Sequence, residues 1–149
     1  MDSTGRRIAS IAIAVSLLTA PLLSGCANSP IQGSIENSNG AEVDLGGANV
    51  PDDFPAKVPL TDGEVLSGGA IGNDQGKVWN VSVRVDDATA LSDIELELAD
   101  AGFETRAQAS GENGGTLISD NDAEYTVLVV VSPDGSSFVA NYTVTSKSG

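Results

Sequence analysis

The sequence predicts an α+β domain: a mostly antiparallel sheet with one helix packed on one face, a two-layer sandwich in the order β-β-α-β-β-β-β. Three observations predict it. From Lys77 to Val85, Trp79, Val81, Val83 and Val85 alternate with Asn80, Ser82 and Arg84, the period of a strand with one buried face. Leu91, Ile94, Leu98 and Ala101 recur at helical spacing and form one stripe. Turn signals such as Gly72-Asn73-Asp74-Gln75-Gly76 and Ser132-Pro133-Asp134-Gly135-Ser136 separate the apolar runs, and runs joined by tight turns pair antiparallel.

Folded structure is expected to begin near Pro51. Pro51, Pro55 and Pro59 stiffen the entry, because each proline restricts itself and the residue before it. Phe54 and Leu60 are expected to plug one end of the core. Glu64 to Ile71 reads as an edge strand weakened by Gly68 and Gly69. Lys77 to Val85 is the clearest strand. Asp86 to Ala101 is the helix, with Asp86 or Asp87 at its start, or a Ser92–Glu95 capping box if it starts later. Gly102 stands where a left-handed residue closes a helix.

Phe103 to Ala109 and Gly115 to Ser119 are two weaker strands around a Gly-rich turn. Glu124 to Ser132 is the most apolar run of the chain after residue 25. Tyr125, Val127, Val129 and Val131 share one face, and Leu128 and Val130 the other, as in a central strand. Ser137 to Thr145 alternates Phe138, Ala140, Tyr142 and Val144 with Val139, Asn141, Thr143 and Thr145.

The chain divides into residues 1–25, 26–50 and 51–149. The first stretch has Arg6 and Arg7, then sixteen uncharged positions from Ile8 to Leu23, then small residues. That order is the secretory pattern, and the apolar run is short for a span of ~20 residues. General secretion is expected; Ile8-Ala9-Ser10 continues a twin-arginine motif poorly. Ala27 to Val50 is rich in Asn, Ser and Gly and reads as a tether, with an r.m.s. span of roughly 25–30 Å for a coil of that length. A competing reading makes Ala41 to Leu45 a short strand.

Leu23-Ser24-Gly25-Cys26 resembles the lipobox of bacterial lipoproteins. The resemblance implies transfer of a diacylglyceryl group to the Cys26 sulfur and cleavage just before it, with small residues at 24 and 25 and Leu23 in an apolar subsite. Two acyl chains anchor stably where one does not. The implied product is an exported protein, lipid-anchored to the cell membrane on its extracytoplasmic side. The competing reading is an ordinary signal, or an uncleaved anchor, with Cys26 a bystander. Residues 51–149 resemble a small lipoprotein domain recurrent in high-GC Gram-positive bacteria. That resemblance rests on Asp53-Phe54-Pro55, Val58-Pro59-Leu60, the run ending Ala101-Gly102-Phe103 and the closing hairpin, and it implies architecture rather than activity.

Composition excludes several function classes. From Cys26 onward the chain carries 20 acidic and 5 basic side chains, a formal −15, so no nucleic-acid partner is expected. There is no histidine, which removes the commonest general base and metal ligand. Without it a Ser-His-Asp triad is impossible. Gly-x-Ser-x-Gly is absent, and Gly68-Gly69-Ala70-Ile71-Gly72 holds no P-loop lysine. Glu95 and Glu97 are two apart on a helix and do not face each other. Asp120, Asn121, Asp122 and Glu124 bring oxygen donors together but do not match a calcium loop. No catalytic residue, metal or cofactor is expected.

The pattern worth following is the sheet face opposite the helix. Leu128, Val130, Val139, Asn141 and Thr143, with Asn80, Ser82, Arg84 and Thr145 around them, form an apolar centre with a polar rim, as in a modest interface. The competing reading is that Pro51–Leu60, or nothing, covers that face. The expected function is a membrane-anchored, non-enzymatic domain that binds a protein or cell-envelope component. The alternative is a small-ligand or ion-binding lipoprotein acting as a transporter accessory.

Overall fold

The computed structural model describes residues 34–36, 42–73, 75–122 and 124–147. The described residues form a mostly antiparallel sheet with one short helix. In chain order the elements are β1 (Ser34–Glu36), β2 (Glu42–Asp44), β3 (Glu64–Asn73), β4 (Gly76–Val85), α1 (Ala90–Asp100), β5 (Glu104–Gly111), β6 (Gly114–Asp120), β7 (Tyr125–Asp134) and β8 (Ser137–Ser146). They build one sheet in the order β1-β2-β3-β4-β8-β7-β6-β5, with every neighbour antiparallel.

Two short strands precede Pro51, so the element order differs from the expected one. β2 coincides with the competing reading of Ala41 to Leu45 as a strand. It pairs Val43 with Ile71 and Asp44 with Ala70, so β3 is an interior strand rather than an edge. Gly68 is then a point of close approach. A Cβ there would lie 1.9 Å from the Asn49 carbonyl oxygen, and the Gly68 N–H donates to the Gly47 carbonyl at 2.7 Å.

The central pairing is between β4 and β8. Trp79 stands opposite Val144, Val81 opposite Tyr142 and Val83 opposite Ala140. β7 continues the layer, with Val127 opposite Val144, Val129 opposite Tyr142 and Val131 opposite Ala140. All nine side chains are buried. Leu91, Ile94 and Leu98 of α1 are buried in the same core, and the helix contacts β5, β6 and β7.

The helix starts at Ala90, later than expected, and neither expected cap forms. Thr89, the residue before it, makes no side-chain cap bond. Asp87 instead accepts from the Thr89 N–H at 2.7 Å and the Thr89 hydroxyl at 2.5 Å, which fixes the turn ahead of the helix. Ser92 is already inside it, its N–H donating to the Thr89 carbonyl. The C-terminus closes as expected. Gly102 has φ +87, its N–H donates to Ala99 O, and the Phe103 N–H donates to Leu98 O at 2.9 Å. That is the paired-bond Schellman closure, with Phe103 and Leu98 meeting in the core. Ala101 leaves the predicted stripe, because at the C-cap it is exposed.

The entry segment lies on the helix side of the sheet. Val58 is buried, and Phe54 and Leu60 pack against the core. The Trp79 indole Nε1 donates to Asp53 Oδ1 at 3.0 Å, Lys77 Nζ pairs with the same carboxylate, and the Thr61 N–H donates to the Tyr142 hydroxyl at 3.1 Å. Burial holds the Tyr142 phenol well above its ordinary pKa.

Candidate interaction face

Because side chains alternate along a strand, burying Trp79 through Val85 sends the intervening residues to the opposite face. Register then decides which of them meet. Leu128 of β7 lies opposite Thr143 of β8, and Val130 opposite Asn141. Asn141 lies opposite Ser82 of β4, Thr143 opposite Asn80 and Val139 opposite Arg84. The five residues singled out from the sequence, Leu128, Val130, Val139, Asn141 and Thr143, therefore form one contiguous patch on two central strands.

Exposure separates the two faces. In β7, Val127, Val129 and Val131 are buried while Leu128, Val130 and Ser132 are only half-buried. In β8, Ala140, Tyr142 and Val144 are buried, whereas Val139 and Thr143 are half-buried and Asn141 and Thr145 exposed. Pro51–Leu60 does not cover this face, since Asp53 and Val58 engage the Trp79 side.

The polar groups of the patch are tied to one another. The Ser82 hydroxyl donates to Asn141 Oδ1 at 2.6 Å, and the Thr143 hydroxyl to Asn80 Oδ1 at 2.9 Å. Charges sit at the rim, in ion pairs. Arg84 meets Glu64 at 2.6 Å. Arg106 meets Glu104, Asp120 and Asp122 at 3.1, 2.7 and 2.8 Å. Those contacts hold the Asp120 carboxyl below its ordinary value, the Arg106 hydrogen bond first among the causes.

The sequence reading did not include Ile118 and Thr116 of β6, which extend the patch opposite Leu128 and Val130. Leu117 and Ile118 are adjacent apolar residues in a short strand, and only the pairing tells which faces out. A second extension lies at the β2 side. Val43, Leu45, Ile71 and Asn80 line a groove of about 330 Å³ that opens where Gly69 has no side chain. Leu45 is 45% exposed and Ile71 50%.

Other sequence candidates resolve into structural roles. Asp120 and Asp122 bind Arg106, Glu124 binds Lys57 at 2.5 Å, and Asn121 Oδ1 accepts from the Glu124 and Tyr125 N–H groups. These contacts make an ion-paired turn. Glu95 accepts from the Thr105 hydroxyl at 3.0 Å. The Glu97 carboxyl is raised above its ordinary value by burial first, then by the Asp62 and Asp93 carboxylates. Among the described residues, no group of three or more acidic, Cys or His side chains is placed to hold a metal. A cleft of about 650 Å³ lies between the start of α1 and the β5–β6 turn, lined by Ala88, Thr89, Ser92, Ser110 and Phe138 among others.

Leu23, Ser24, Gly25 and Cys26 lie outside the described residues. No helix among the described residues is long and apolar enough to cross a membrane. No family model, curated protein or solved structure matches the chain.

Proposed function

We propose that this chain is a lipid-anchored extracytoplasmic lipoprotein whose folded part is a non-enzymatic interaction domain for a protein or cell-envelope component. The observation that carries the reading is the sheet face that no other described residue covers, with Leu128, Val130 and Val139 at its centre and hydroxyl and amide groups around them. An apolar centre inside a polar rim is how modest interfaces are built. We also read the architecture as a two-layer sandwich; the packing of α1 on β5, β6 and β7 supports it.

The anchor rests on the lipobox resemblance at Leu23-Ser24-Gly25-Cys26. Mass spectrometry of the N-terminus tests it directly: a mature chain beginning at a lipid-modified Cys26 is expected. Cys26→Ser is expected to leave the membrane pellet. For the face, Val130→Lys is expected to abolish partner recovery in a pull-down; unchanged recovery would remove the face from the reading.

The alternative, a small ligand or ion held by a transporter accessory, has the cleft beside Ser92 and Phe138 in its favour. A thermal-shift screen against metabolites and metal ions separates the two, because a ligand bound by the folded state raises Tm.

A further inference from the structure

We infer that the partner seated on the uncovered face is a second copy of this chain, in a two-fold dimer packed sheet to sheet. This deepens the interaction-domain reading and rests on it.

The first argument is charge. The chain carries a formal −14, so two copies repel wherever net-negative surfaces meet. Asp93, Glu95, Glu97 and Asp100 on α1, and Asp52 and Asp62 around the entry segment, lie away from this face, while its own acids, Glu64, Glu104, Asp120 and Asp122, sit at its rim against Arg84 and Arg106. Across the middle of the open face, β4, β8 and β7 present Asn, Ser, Thr, Val and Leu. Arg84, at the rim of that stretch, is closed by Glu64. Asp134, at the β7–β8 turn, lies at the rim. This face lets two such chains meet without opposing net charge.

The second argument is extent. Five strands, β3, β4, β8, β7 and β6, spaced about 4.8 Å apart and up to about 33 Å long, make a face of roughly 800 Å². That is about what one partner contributes to a stable interface. Aligned packing of two such faces is an established way for sheets to bury their side chains.

The third argument is the cost of drying the surface. Ser82–Asn141 and Thr143–Asn80 already satisfy each other across β4 and β8, so fewer polar groups lose water unpaired. Asn141 sits mid-strand in β8, beside the centre of the sheet. A two-fold axis there brings the patch onto its own copy, as an isologous interface requires.

The test is sedimentation of the full chain in mild detergent, with and without Asn141→Lys. Asn141 is exposed, so the change leaves folding intact, which circular dichroism and Tm check. A dimer is expected that tightens between low and high salt as self-repulsion is screened. In Asn141→Lys its Kd is expected to rise by at least about tenfold, because like charges meet at the axis. Disulfide cross-linking of Asn141→Cys in membranes is the second arm, with Glu112→Cys as the control. A self cross-link at 141 and not at 112 supports the dimer. A monomer at all salts, with Asn141→Cys cross-linking only to a different protein, overturns the dimer and leaves the interaction reading standing. A monomer that cross-links to nothing at position 141 overturns both.

Discussion

Trp79 and Asp53 are joined by a hydrogen bond of 3.0 Å from the indole Nε1 to the carboxylate Oδ1. That bond fastens the entry segment to β4 across 26 residues of chain. Lys77 pairs with the same carboxylate and stands 6.0 Å from the Trp79 ring centroid. The Tyr125 ring meets Trp79 edge-on at 6.1 Å. One carboxylate thus connects the entry loop to an aromatic pair at the margin of the core.

Removing that carboxylate is expected to destabilise the fold. Asp53→Ala leaves a buried-side indole N–H without its acceptor, and the expected loss is about 1–2 kcal/mol. Burial pushes the Asp53 pKa up, but the bonds from Lys77 and Trp79 outweigh it and hold the carboxyl below 3.8. The stabilisation is therefore present above pH 3.8 and is lost as pH falls through the lower, folded-state pKa. Urea unfolding at pH 7 and at successively lower pH checks this: the gap between parent and variant should be widest at pH 7 and narrow as pH falls below 3.8.

Glu97 titrates in the opposite sense. Its carboxyl is raised by burial, Asp62 and Asp93. Its contribution is complete below pH 4.5 and is lost as pH rises through the elevated folded-state value. Glu97→Gln is expected to raise Tm at pH 7 and to leave it nearly unchanged at pH 4. A variant less stable than the parent at pH 7 would show that the carboxylate makes a favourable contact there.

Ser119 is fully buried, and its hydroxyl has no hydrogen-bond partner among the described residues. Leaving such a group unpaired costs about 1–3 kcal/mol. Ser119→Ala should therefore be neutral or stabilising by up to about 1 kcal/mol. Chemical denaturation is the measurement, and a loss above about 1 kcal/mol would reveal a bond that the hydroxyl makes.

Gly68→Ala tests the crossing of the chain over β3. The new methyl would stand 1.9 Å from the Asn49 carbonyl oxygen and 3.1 Å from Pro51 Cδ. Displacing that backbone is expected to cost about 1–3 kcal/mol. Hydrogen exchange should place the loosening at residues 46–51 and 68, while β7 and β8 stay protected.

Much of the sheet was readable because its pattern is local. Lys77 to Val85 and Ser137 to Thr145 alternate, and alternation fixes the buried face without knowledge of the partner strand. Gly102 announced the end of α1 for a reason internal to the backbone. The start of α1 was less legible, because Asp86, Asp87, Thr89 and Ser92 all suit a helix start and only tertiary packing selects among them. β1 escaped and β2 was legible only as a competing reading of Ala41 to Leu45, because three residues are too few to display a period; β2 exists through its pairing with Ile71 and Ala70. The five-residue patch was legible as a face, whereas its extension through Ile118 and Ile71 depended on register.

The two short strands at the sheet margin also set a leash. β1 begins at Ser34, only eight Cα steps beyond Cys26. If the Cys26 sulfur carries lipid, Ser34 can rise no more than about 29 Å above its attachment point, even with every residue stretched to about 3.6 Å. The folded body would then stand close over the headgroups on its β1 margin, with β5 at the far margin of the sheet. Its broad faces would look sideways, along the plane in which its neighbours diffuse.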